Sequence, residues 1–237
     1  MSSLSGSVIQ EIIFAVLMVL AFIPAIVLHE CAHGFAAYRL GDNTAKNAGR
    51  LTLNPVAHVD LWGTVIIPGL LILMSVTTGA GMIFGYAKPV PYNPRNFKNI
   101  RQGEVIVGLA GPASNLLMCL IGAAIAHGAD ALVGVVAGAG IDTYFLIYVW
   151  YFGAYFCMIN LCLAFFNLIP IPPLDGSSIV APLLTDNGLR IYYKVQRYAM
   201  FILLLLILVL PYCTGIDILG WYLNLTAGNI ANLLLGL

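Results

Sequence analysis

Charged side chains in this sequence stand in tight groups, and the stretches between the groups are long. No Asp, Glu, Lys or Arg occurs in 12–28, 61–87, 105–129, 143–174, 198–216 or 218–237. An α-helix needs roughly 20 apolar residues to cross a hydrocarbon core about 30 Å thick. Each run is near or above that length, so the pattern predicts five or six membrane-embedded segments. Runs of alternating polarity, the mark of a membrane β-barrel, are absent. Only 8% of the 237 residues are charged, against about 25% in a soluble domain. That is too little charge to cover a soluble surface. A formal net charge of zero gives no basic footprint for nucleic acid.

The first seven residues, Met-Ser-Ser-Leu-Ser-Gly-Ser, carry no basic group, and no removable signal peptide is expected. The five cysteines, Cys31, Cys119, Cys157, Cys162 and Cys213, lie in or beside apolar runs without a Cys-x-x-Cys pair. They read as small membrane-helix hydrophobes rather than as a disulfide framework or a thiolate metal site.

The first apolar run ends in His29-Glu30-Cys31-Ala32-His33, an H-E-x-x-H pattern. On a helix, positions i and i+4 share one face, so His29 and His33 can offer imidazole nitrogens to one metal ion. Glu30 is offset by about 100° around the axis. From there it faces a reacting water rather than the metal. Two such histidines could also be satisfied by ordinary hydrogen bonds. Ionisable groups beside an apolar run are costly, however, and need a partner.

A catalytic zinc site takes a third protein ligand and leaves one position open. His58, His127 and the acids near apolar chain are candidates, and Asp175 stands out among them. It follows Phe165-Phe166-Asn167-Leu168-Ile169-Pro170-Ile171-Pro172-Pro173-Leu174, where three prolines exclude a regular helix. Broken backbone at membrane depth is tolerated where it is buried in protein or lines a wet cavity. Asn167 and Asp175 therefore sit on irregular chain at a helix end, with a plain Asp-Gly turn as the alternative.

Together these residues resemble the site-2 proteases, which are intramembrane zinc metalloproteases. The resemblance rests on H-E-x-x-H at 29–33 and N-x-x-P-x-x-x-x-D-G at 167–176. Further support comes from Gly111-Pro112-Ala113-Ser114-Asn115, from 49–55 with His58 and Asp60, and from the proline-rich 87–97. The last two blocks are similar to a compact bacterial branch without PDZ or CBS domains. The likeness covers about 8–210, and its motifs fall in the family's order. It implies one zinc ion per chain held by His29, His33 and Asp175. It implies that Glu30 is the general base and that Asn167 helps to hold the reacting carbonyl. Asn115 would support the site or helix packing. The implied substrate is a membrane protein with a transmembrane helix, and the implied location is the bacterial cytoplasmic membrane, with no nucleic-acid partner.

All ten Lys and Arg fall within 39–50, 88–101 and 190–197, and cytoplasmic loops normally carry that excess. Placing the three groups on one side requires an even number of crossings between Arg50 and Lys88. The run 61–87 is too short for two passes, so it is expected to dip in and return. The expected fold is an all-α polytopic membrane protein. It has about five transmembrane helices, near 8–40, 104–127, 144–166, 192–212 and 217–236, a re-entrant segment at 61–87 and a short β-rich loop at 49–54. One integral-membrane domain spans 1–237, with a core over 8–210 and 217–236 as an added C-terminal helix. Two other readings use the same residues. A transporter would explain buried His, Glu and Asp but not the H-E-x-x-H spacing. An inactive protease-like scaffold would not need Glu30, His29, His33 and Asp175 all intact.

Overall fold

The computed structural model describes residues 2–58, 60, 66, 88–139 and 142–237. The expected re-entrant dip at 61–87 therefore lies outside the described residues, apart from residue 66. Among the described residues the chain is helical, and none is in a strand. Helix α1 is Ser2–Arg39 and the short α2 is Thr44–Asn47. Helix α3 is Ile100–Gly138 and α4 is Tyr144–Asn167. The short α5, Gly176–Val180, precedes α6, Asp186–Leu204. A π-turn segment, Leu205–Val209, joins α6 to α7, Leu210–Thr214. Helices α8, Ile218–Leu223, and α9, Asn229–Leu235, are joined by a second one, Asn224–Gly228.

By length and apolarity, α1, α3 and α4 can each cross a membrane, and the bent α6–α7 pair makes a fourth if it is one span. Their outer faces carry large exposed hydrophobics such as Val16, Leu20, Leu117 and Leu120, which suits lipid rather than water. The chain is thus a multi-pass membrane protein, and among the described residues three or four of the five expected spans meet this test. The expected fifth, 217–236, is helical through its central π-turn, but its α segments are short.

Two local expectations are corrected. Helix α3 does not stop near residue 127. The apolar, Ala- and Val-rich stretch after Gly128 continues it to Gly138, and His127 Nε2 meets the Leu234 carbonyl at 2.7 Å. The loop at 49–54 forms bends rather than strand, and among the described residues nothing pairs with it as a ladder. Its Thr52 carbonyl is instead met by side chains, the Cys31 thiol at 2.9 Å and His58 Nε2 at 2.8 Å.

Small residues let α3 and α4 meet backbone to backbone. A Cβ on Gly122 would lie 2.6 Å from the Cys157 nitrogen, and one on Gly153 would lie 2.7 Å from the Ala126 nitrogen. Apolar side chains gain little by leaving lipid for protein, so such close packing is what holds membrane helices together. The α3–α4 contact buries Cys119, Ala123, Ala126, Cys157 and Leu161 together with Ala227, Ala231 and Leu235 from the C-terminal helices. Helix α1 lays Ala21 and Ala25 against Phe156 of α4. Lower down, its Ala37 meets Val107 of α3 and Phe97. The 29–33 motif therefore faces the N-terminal half of α3.

Candidate metal centre

His29 and His33 are both buried, at 7% and 9% exposure, one turn apart on α1. Their Nε2 atoms lie 3.0 Å from each other. Asp175 Oδ2 lies 3.1 Å from His29 Nε2 and 3.2 Å from His33 Nε2. These three side chains form the one group of potential metal ligands among the described residues.

The other ring nitrogens decide what the three facing atoms are. His33 Nδ1 lies 2.7 Å from the Val107 carbonyl. A carbonyl oxygen only accepts, so His33 Nδ1 carries the proton, and in a neutral ring Nε2 then offers a lone pair. His29 Nδ1 lies 2.6 Å from Asn115 Oδ1 and donates in the same way. Two lone pairs and a carboxylate oxygen thus converge, and Asp175 Oδ2 is buried without any hydrogen-bond donor. Acceptors do not gather like this unless a proton or a cation sits among them. The donor set, two imidazoles and one carboxylate, is one that zinc takes in hydrolytic sites.

Glycines make room for this cluster. A Cβ on Gly111 would come within 2.5 Å of His29 Cε1 and closer still to His33 Nε2. One on Gly108 would lie 3.1 Å from the Asp175 carbonyl. One on Gly176 would overlap the Leu168 carbonyl, where the chain folds back after α4. Beyond Asn167 the backbone turns through Ile171 N–H to Ile169 O and Leu174 N–H to Ile171 O. It then starts α5 at Gly176, which brings Asp175 back beneath α3.

A cavity of about 540 Å³ opens beside these atoms. Its polar wall includes Glu30, Asn167, Ser177, Ser178 and Gln196, and its apolar wall includes Ile26, Leu163, Phe166, Leu174 and Leu203. Glu30 Oε2 accepts the Val90 N–H at 2.9 Å. Pro89 and Pro91 have no N–H, so Val90 is the only backbone donor in that tripeptide. Asn167 Nδ2 donates one hydrogen to the Leu163 carbonyl at 3.0 Å, and an amide nitrogen has a second to give.

The structure thus brings together five sequence-predicted residues: His29, His33 and Asp175 at the cluster, Glu30 and Asn167 on the cavity wall. It does not bring His58 or His127 to the cluster. His58 is buried on the Thr52 and Cys31 side of α1, and His127 caps the C-terminal helix. Asn115, singled out with Gly111, touches His29 directly. Asn160 was not foreseen. It lies fully buried behind Asn115, and only its being an amide inside the uncharged run 143–174, beside Asn167, could have drawn notice.

The profile of peptidase family M50 matches residues 17–210. The chain is 37% identical over 199 residues to "Putative zinc metalloprotease YwhC" of Bacillus subtilis (strain 168), covering 82% of this chain and 80% of that protein. It is 26% identical over 193 residues to "Putative zinc metalloprotease Rip2" of Mycolicibacterium smegmatis, covering 81% and 67%. It is also 26% identical over 208 residues to the protein of that name from Mycobacterium tuberculosis (strain H37Rv), covering 86% and 73%. No solved structure matches the chain. The matched span holds both motifs and every residue of the cluster, and the chain belongs to peptidase family M50, the family of the site-2 proteases.

Proposed function

We propose that the protein is an intramembrane zinc endopeptidase that hydrolyses peptide bonds in or near transmembrane segments of other membrane proteins. The observation that carries this is the convergence of two imidazole lone pairs and a buried, donor-free carboxylate oxygen beside Glu30 on a cavity with a polar wall. His29, His33 and Asp175 would hold the ion. An ion held there would supply Lewis-acid chemistry, polarising the scissile carbonyl and lowering the pKa of the attacking water toward about 7.

The side chains do the rest. Glu30 takes the proton from the attacking water and later returns it to the leaving amine. The Val90 N–H holds one carboxylate oxygen, which fixes the direction of the other. Asn167 offers its free amide hydrogen to the developing oxyanion, as preorganised donors of this kind do. The apolar wall accepts the side chains of a membrane segment, and the polar wall accepts backbone released when that segment unwinds. The catalytic unit covers 8–210, with 217–236 as an added helix, in the cytoplasmic membrane of a bacterium.

The topology has support from the residues that flank 61–87. The Lys88 N–H meets the His58 carbonyl at 3.0 Å, and the Arg50 guanidinium bonds the Ala57, Lys88 and Pro89 carbonyls. The basic groups 39–50 and 88–101 are therefore neighbours, as a cytoplasmic side common to both requires.

The test is cleavage of a reconstituted membrane substrate by wild type and Glu30→Gln, with zinc measured in both. Cleavage by wild type alone, at equal zinc, supports the reading. Equal cleavage by the variant removes it.

A further inference from the structure

Behind the metal cluster runs a chain of amides that ends on a group with only one possible role. The Phe156 carbonyl can only accept. Asn160 Nδ2 donates to it at 2.7 Å, so Asn160 must turn its Oδ1 the other way. That oxygen accepts Asn115 Nδ2 at 3.0 Å, so Asn115 in turn must point its Oδ1 at His29. His29 Nδ1 lies 2.6 Å from it and is thereby forced to donate. Both amides are fully buried, at 0% exposure, so water does not compete for either. The polarity of the whole line is dictated from its far end by a backbone carbonyl of α4.

The geometry points to Asn160 as a positioning residue that fixes the tautomer of His29, acting through Asn115 and touching neither metal nor substrate. Without it, Asn115 is free to flip and donate Nδ2 to His29 Nδ1. The proton then moves to His29 Nε2, and the lone pair that faces Asp175 is lost. His33 needs no such device, because the Val107 carbonyl meets its Nδ1 directly. The two histidines of one motif are thus oriented by different means, one by backbone and one by a two-amide relay. Outer partners of this kind typically change metal affinity by about 10–100-fold.

This inference rests on the proposed zinc ligand set, and the experiment separates the two. Zinc affinity of the full-length protein is measured in detergent by competition with a chromophoric chelator, with zinc alone as the probe. Asn160→Leu removes the relay. Asn160→Ser, whose hydroxyl is too short to reach Asn115, does the same where Leu does not fold. Each should bind zinc about ten-fold or more weakly. Asn115→Asp is then added to each variant. A carboxylate at 115 can only accept from His29 Nδ1, whichever group stands at 160, so affinity should return to near wild type. A purely structural role for Asn160 would not be rescued by burying a charge beside it. Unchanged affinity in the single variants, or no recovery in the doubles, overturns the proposal. Full zinc retention by His29→Ala would instead bring down the ligand set itself.

Discussion

Lys88 donates its backbone N–H to the His58 carbonyl at 3.0 Å, so the chain that leaves His58 returns to the same place at Lys88. On the proposed topology, 39–50 and 88–101 share the cytoplasmic side of the membrane. With cysteines placed at Asn47, Gln102 and Asp142 in a background lacking the native ones, the first two should resist an impermeant thiol reagent in intact cells. The cysteine at 142 should react. Labelling of position 47 or 102 before permeabilisation would contradict the shared cytoplasmic side.

Gly111 of α3 lies directly against both histidine rings. An alanine there would force them apart, and an overpacked site costs about 1–3 kcal/mol. Gly111→Ala should therefore bind zinc roughly ten-fold or more weakly while keeping the fold. The chelator competition assay reads this, and wild-type affinity would show that the ligands tolerate the methyl.

Val90 presents its N–H to Glu30 from between two prolines. Val90→Pro removes that donor and keeps extended backbone. A hydrogen bond to a charged group is worth about 1.5–3 kcal/mol, so kcat should fall by roughly 10–100-fold with zinc content unchanged. Val90→Ala keeps the donor and should lose less. An equal loss in both would make packing, not the N–H, the cause.

Asp42 ties the end of α1 to the proline-rich loop. It accepts from Thr44 N at 3.1 Å, Thr44 Oγ1 at 2.5 Å, Asn93 N at 2.7 Å and Asn96 Nδ2 at 2.6 Å. Burial pushes its carboxyl up, but these donors outweigh it and leave its pKa below the ordinary 3.8. A depressed folded pKa gives stability that is present above the unfolded value and lost as pH falls through the folded one. Melting curves of wild type and Asp42→Asn should therefore differ at neutral pH and converge below about pH 4. A gap that stays constant down to acid pH would mean that the charge is not what matters.

What the sequence discloses depends on how far apart the cooperating residues lie. His29 and His33 are legible because helix periodicity alone puts them on one face. Asp175 is legible because three prolines announce broken chain in an apolar run. Gly111 and Asn115 could be named as a motif, but not explained, since their reason is a contact with α1 that no local pattern encodes. Asn160 has no spacing signature at all. An apolar run bounded by Asp130 looks like a finished span, whereas α3 extends past its membrane-length segment to Gly138. The loop at 49–54 looked strand-like by residue type, but a strand needs a ladder partner, and its Thr52 carbonyl is taken by side chains.

The central claim is that His29, His33 and Asp175 share one zinc ion. Zinc content of purified protein, determined by elemental analysis for wild type, His33→Ala, Asp175→Ala and His58→Ala, tests it most directly. The account predicts about one zinc per chain, as a single three-ligand site requires, in wild type and in His58→Ala, and loss of the metal from the other two. Full occupancy in His33→Ala and Asp175→Ala, or loss from His58→Ala alone, would contradict it.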